Sequence, residues 1–174
     1  GDAGAGKTHS VLDVAKDRLN KGFPSLVVPA KAIDPRTASA EWLPNYIDKP
    51  SWGISDCFSA MESSAFSAYE TLEENGAEIP SRFLLIIDGL EESPHNIAWN
   101  GVLAEWSILL KSYPQIKLVC TVRPAYIDDL IPPSSGFHVT NVRYTRNIPL
   151  HRMFVDYCRK YEIDTAGQTW IQWA

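Results

Sequence analysis

The first residues, Gly1-Asp2-Ala3-Gly4-Ala5-Gly6-Lys7-Thr8, crowd small residues, a lysine and a hydroxyl into one short stretch. They fit the pattern G-x-x-x-x-G-K-[ST]. In that pattern backbone N–H groups cradle phosphate oxygens, the lysine reaches the outer phosphates and the hydroxyl holds Mg2+. Glycine and alanine let the backbone curl around an anion. A helix starting near Lys7 turns its positive end to the same place. His9 follows directly, and we count it with Gly1 to Thr8 as a phosphate-site candidate, although packing or capping is its plainer role.

A second group of candidates ends an apolar run. Arg82-Phe83-Leu84-Leu85-Ile86-Ile87-Asp88 is followed by Gly89-Leu90-Glu91-Glu92. A buried parallel strand reads as continuous apolar sequence, and ligands sit at the carboxyl ends of such strands. Asp88 and Thr8 are therefore the expected Mg2+ ligands. Glu92 is the expected group to orient or deprotonate water, with Glu91 supporting the metal shell; a solvated acidic turn is the plain alternative for the pair. Lys117 to Pro124 reads as a further apolar strand that presents Thr121 and Arg123. A guanidinium there can read a terminal phosphate, or form a structural ion pair with Asp128 or Glu92. Cys120 reads as a small buried hydrophobe rather than a nucleophile.

Other elements must bring these groups together. Val11, Leu12, Val14, Ala15 and Leu19 predict a helix over 7–21 with a broad apolar face, stopped by Gly22. Ser25 to Ala30 reads as a strand that Pro29 ends or confines to an edge. Ala32 to Ile54 reads as a connection with no long periodic element. Trp42 and Trp52 pin it to the core in preference to forming a base-stacking platform. Ser55-Asp56 opens a helix with Phe58, Met61, Ala65, Tyr69 and Leu72 facing the core, ending near Asn75-Gly76. The spacing of Trp99, Val102, Leu103, Trp106, Leu109 and Leu110 predicts another, stopped before Pro114. Ala125 to Leu130 reads as short helical turns, His138 to Ile148 as a last strand, and Pro149 to Tyr161 as a helix. Strands alternating with helices give a parallel sheet flanked on both faces.

Size and composition suit one globular domain with a full core. The net charge of −5 argues against wrapping nucleic acid, and the basic stretch from Lys111 to Lys160 reads as a solvated face. No apolar run is long enough to cross a bilayer. Cys57, Cys120 and Cys158 lie far apart, which suggests neither a disulfide framework nor a zinc site; a reducing, cytoplasmic setting is expected. A phosphate-binding loop joins a buried strand to a helix. The strand before Gly1 is expected to lie outside this sequence, in the middle of the sheet, so that the chain is part of a longer protein.

The ordered set Gly1 to Thr8, Ile86-Ile87-Asp88-Gly89-Leu90-Glu91-Glu92 and Thr121-Val122-Arg123-Pro124 resembles the NACHT-type branch of the STAND NTPases, most closely its large bacterial antiviral members. That family carries D-[GA]-L-[DN]-E after its acid-ending strand and [ST]-x-R at the end of the next. The likeness extends from Gly1 to about Ile163. It implies a three-layer, ASCE-type P-loop NTPase core over 1–148, lacking its first strand, and the beginning of a helical lid over 149–174. It also implies ATP and Mg2+ as cofactors, with Glu92 as catalytic glutamate. Glu91 departs from the usual Asp or Asn. Family members detect a foreign protein through a C-terminal sensor, oligomerise and switch on an effector; those further domains lie outside this segment. The competing expectations are an AAA+-like motor or loader and an ATP-gated scaffold without turnover.

Overall fold

Three apolar runs form a parallel sheet in the order β1-β2-β3, namely β1 Ser25–Pro29, β2 Phe83–Asp88 and β3 Ile116–Cys120. The computed structural model describes residues 7–74 and 82–140. The loop Gly1 to Gly6, the boundary expected at Pro149 and the expected lid over 149–174 lie outside the described residues.

The register explains the sheet's two faces. Leu26 pairs with Leu85 and Leu85 with Leu118, while Val28 pairs with Ile87 and Ile87 with Cys120. These residues belong to one apolar cluster. Because side chains alternate along a strand, Val27, Ile86 and Val119 line the opposite face.

The clustered face is covered by three helices: α2 Ser39–Tyr46, α3 Ile54–Glu74 and α4 Trp99–Leu109. Their rings interlock. Trp42 stacks on Trp106 at 5.4 Å and meets Trp99 edge-on at 5.8 Å, and Phe58 meets Trp106 edge-on at 5.3 Å. Asp56 accepts a hydrogen bond from the Gly53 N–H (2.8 Å), half of a capping box that opens α3. The helix α2 was not legible as a periodic element, since Pro44 sits inside it. Burial of Trp42, Leu43 and Pro44 outweighs the hydrogen bond that proline removes. Trp42 is thus a core residue, whereas Trp52 is half-buried beneath Lys49. The Tyr46 hydroxyl of α2 donates to the Val27 carbonyl (3.0 Å), partly covering the β1 edge where Pro29 ends the strand.

The opposite face is covered by α1, Lys7–Asn20, which packs on β1 and β2. Only Ala15 of its expected apolar face is fully buried; Leu12, Val14 and Leu19 are exposed. Gly22, with φ of 81°, closes the helix. The Phe23 N–H reaches the Arg18 carbonyl and the Gly22 N–H the Leu19 carbonyl, the paired bonds of a Schellman end.

After β3 the chain makes a short helical segment, α5 Ile127–Leu130. His138 to Thr140 form no strand, and the rest of the strand expected there lies outside the described residues. Among the described residues no helix is long and apolar enough to cross a membrane. The chain is an α/β protein, with a three-stranded parallel sheet among the described residues.

Candidate functional site

Of the site candidates, Asp88, Glu91, Glu92 and Arg123 lie at the carboxyl edge of the sheet. Asp88 ends β2 and is 8% exposed. By the pleat it shares the α1 face with Ile86. Thr121, just past β3, falls on the same face by the same alternation, and its hydroxyl donates to Asp88 Oδ1 at 2.5 Å. That hydroxyl also accepts from the Gly89 N–H (2.8 Å). The Thr121 N–H donates to the Ile87 carbonyl, and its own carbonyl accepts from the Leu90 N–H, both at 3.0 Å. One residue therefore stitches β3 to both sides of Asp88 and holds the carboxylate in one orientation. Thr121 was visible in sequence as part of a strand end, but nothing in the pattern assigned it this task.

Gly89 bends the chain with φ of 73°, in the left-handed region that favours glycine. A Cβ there would come within 3.1 Å of the Glu92 carboxyl carbon. Glu92 thus folds back over the backbone next to Asp88, and it is exposed. Residues Leu90–Glu92 form one turn of 3₁₀ helix. That turn is pinned again at Ser93, whose buried hydroxyl donates to the Ala30 carbonyl (2.6 Å) and accepts from the Trp99 indole N–H (2.8 Å). Ala30 directly follows β1, so the acidic turn is tied to the ends of both neighbouring strands.

Glu91 points elsewhere. Its side chain is 4% exposed and its Oε1 lies 3.1 Å from Arg123 Nε, while the Arg123 side chain is 42% exposed. Arg123 is therefore paired with Glu91 rather than with Asp128 or Glu92. The other oxygen, Glu91 Oε2, is buried and has no hydrogen-bond partner. Among the described residues no group of three or more histidine, cysteine or acidic side chains could by itself hold a metal ion, so Asp88, Glu91 and Glu92 are not a self-contained metal centre.

The direction of α1 decides what faces Asp88. Arg18, in its last turn, donates through Nε to the Ser25 hydroxyl at the start of β1 (3.1 Å) and through Nη2 to the Arg82 carbonyl just before β2. These bonds fix the helix C-terminus at the amino edge of the sheet. A helix of 14 residues is about 21 Å long, enough to run back along a five-residue strand of about 17 Å. Its N-terminus, where Lys7 and Thr8 begin the helix, is thereby directed toward the carboxyl edge on the face that Asp88 shares. Thr8 is exposed. His9 Nε2 lies 3.2 Å from Asp13 Oδ2, one helical turn on.

The Cys120 thiol sits against the core, and burial pushes its pKa up to about 12, which favours the protonated thiol. Comparison with protein-family models, with curated proteins and with solved structures finds no match.

Proposed function

We propose that this chain is the ATP-binding and hydrolysing module of a signalling switch, with the nucleotide lying at the carboxyl edge of the sheet between the α1 N-terminus and Asp88. The observation that carries this reading is the shared face: an anion-attracting helix start and a fixed, buried carboxylate are directed to one edge. The donor set is of the right kind, since Mg2+ prefers hard oxygens and Thr8 and Asp88 supply a hydroxyl and a carboxylate. Mg2+, when bound, offsets the phosphate charge. The chain's own groups do the remaining work. Lys7 and the backbone amides of Gly1 to Gly6 neutralise the phosphates, and Thr121 keeps Asp88 aimed. Glu92, exposed and folded over Gly89, accepts the proton of the attacking water.

Turnover resets a two-state arrangement that ATP biases. By resemblance to NACHT-type STAND NTPases, the switch controls oligomerisation and an effector, answers a foreign protein sensed by domains outside this segment, and acts in the cytoplasm.

In the intact protein Lys7→Ala should weaken ATP binding roughly 30-fold or more, as loss of a desolvated charge contact does. Unchanged affinity would sink the phosphate site. Glu92→Gln should retain binding and lose turnover by about 100-fold or more. Equal turnover moves the base elsewhere, and a wild-type protein that binds ATP without consuming it points to the scaffold reading.

A further inference from the structure

The Glu91–Arg123 pair is unusual in its incompleteness. Glu91 is nearly sealed from solvent, yet only one of its carboxylate oxygens is engaged. A buried, half-satisfied carboxylate is destabilising. Proteins keep such conflicts mainly where function requires them. Arg123 is bound at Nε alone; its two terminal nitrogens make no hydrogen bond or ion pair with any described residue, and the side chain reaches solvent. The backbone on both sides is held. The Asn96 side-chain amide donates to the Glu91 carbonyl (3.1 Å), Thr121 anchors the strand end two residues before Arg123, and the Tyr126 N–H donates to the Arg123 carbonyl (3.0 Å).

We infer that Glu91 is a positioning residue for Arg123: it grips the guanidinium from behind and leaves the outer edge to read the terminal phosphate, so that the preference for ATP over ADP depends on Glu91. This rests on the nucleotide reading above. A guanidinium clamped at Nε has lost much of its rotamer freedom before the ligand arrives, which lowers the cost of its contact with an anion. The assignment also accounts for Glu91 turning away from Glu92 despite being its neighbour. Glu91 then serves the arginine, and Glu92 remains available for water.

The test is a double-mutant cycle in the intact protein, reading the ratio of ADP to ATP dissociation constants in Mg2+ for wild type, Glu91→Gln, Arg123→Ala and the double variant. Arg123→Ala should lower the ratio. Glu91→Gln, close in shape, should lower it by about fivefold or more, and the double variant should match Arg123→Ala alone because the residues act as one unit. A purely structural Glu91 would lower the melting temperature and leave the ratio in place. Full discrimination in Glu91→Gln, no effect of Arg123→Ala, or simple addition of two losses would each overturn the inference. Glu91→Asp, which keeps the charge but shortens the reach, gives the same reading if the glutamine variant does not fold. An ATP affinity insensitive to Lys7→Ala would instead indict the nucleotide site itself.

Discussion

The two faces of the sheet differ in kind. One carries Leu26, Val28, Leu85, Ile87, Leu118 and Cys120 under interlocked tryptophans. The other carries Val27, Ile86 and Val119, and among the described residues α1 packs on its β1 and β2, with Val14 and Leu19 of that helix 51% and 55% exposed. This second face presents Asp88 and Thr121. A face packed to capacity leaves no room for a ligand, whereas the face that α1 packs on can present that helix's N-terminus and a strand-end acid to the same space. The packed core and the candidate site lie on opposite sides of β2.

The largest test of this division is a pair of truncations. Trp106→Ala should cost about 3–5 kcal/mol, because a fully buried indole leaves a cavity among rings. Val14→Ala on α1 should stay within about 0.5 kcal/mol, as exposed substitutions do. Urea unfolding followed by circular dichroism measures both, and comparable losses would erase the distinction between faces.

Thr121→Val probes the seam between β2 and β3 at the site. It deletes the donor to Asp88 and the acceptor for Gly89 while keeping the branched shape, and should cost about 1–3 kcal/mol through the groups left unpaired. Thr121→Ser should recover most of that loss. A serine variant as unstable as the valine variant would show that the methyl group, not the hydroxyl, holds the seam.

An effect confined to alkaline pH is expected from Cys120 on the packed face. Burial raises its folded pKa to about 12 from an ordinary value of 9.0. The folded chain therefore keeps this proton at pH values where the unfolded chain releases it. The contribution is fully present below pH 9 and is lost progressively as pH rises toward 12. Cys120→Ala should flatten that alkaline fall in the urea midpoint. An identical slope in both proteins would mean the thiol is not sealed.

Much of the packed face was legible in sequence because its signals are local and repetitive: apolar runs for the strands, and the helical spacing of Trp99, Val102, Leu103 and Trp106 for α4. What escaped depends on partners distant in sequence. Pro44 reads as a breaker, and only the burial of its helix against α3 overrides it. The apolar residues of α1 read as a face to be covered, but the helix packs on β1 and β2 while Leu12, Val14 and Leu19 stay exposed. At the site, Asp88 and Glu92 were visible as an acid-ending strand and its turn. The choice of Glu91 as partner for Arg123 was not, because nothing in two adjacent glutamates tells which one the left-handed bend at Gly89 turns inward.

The weakest expected effect lies at the rim, where the loops after β1 and β2 meet. Asp34 accepts from the Arg36 side chain and backbone N–H, and His95 Nδ1 lies 3.5 Å from its Oδ2. The hydrogen bonds from Arg36 hold the Asp34 carboxyl at about 2, below its ordinary value of 3.8. A depressed carboxylate favours folding above the unfolded value, and that contribution is lost as pH falls from about 3.8 toward 2. Because the group is partly exposed, solvent screening keeps the stability term small, and the direct readout is the carboxyl carbon shift of Asp34 in an NMR titration. Arg36→Ala should return the midpoint toward 3.8, with little change in unfolding. If that variant instead destabilised the fold as much as Thr121→Val, the rim would be part of the structural frame and the division between the two faces would not hold at this edge.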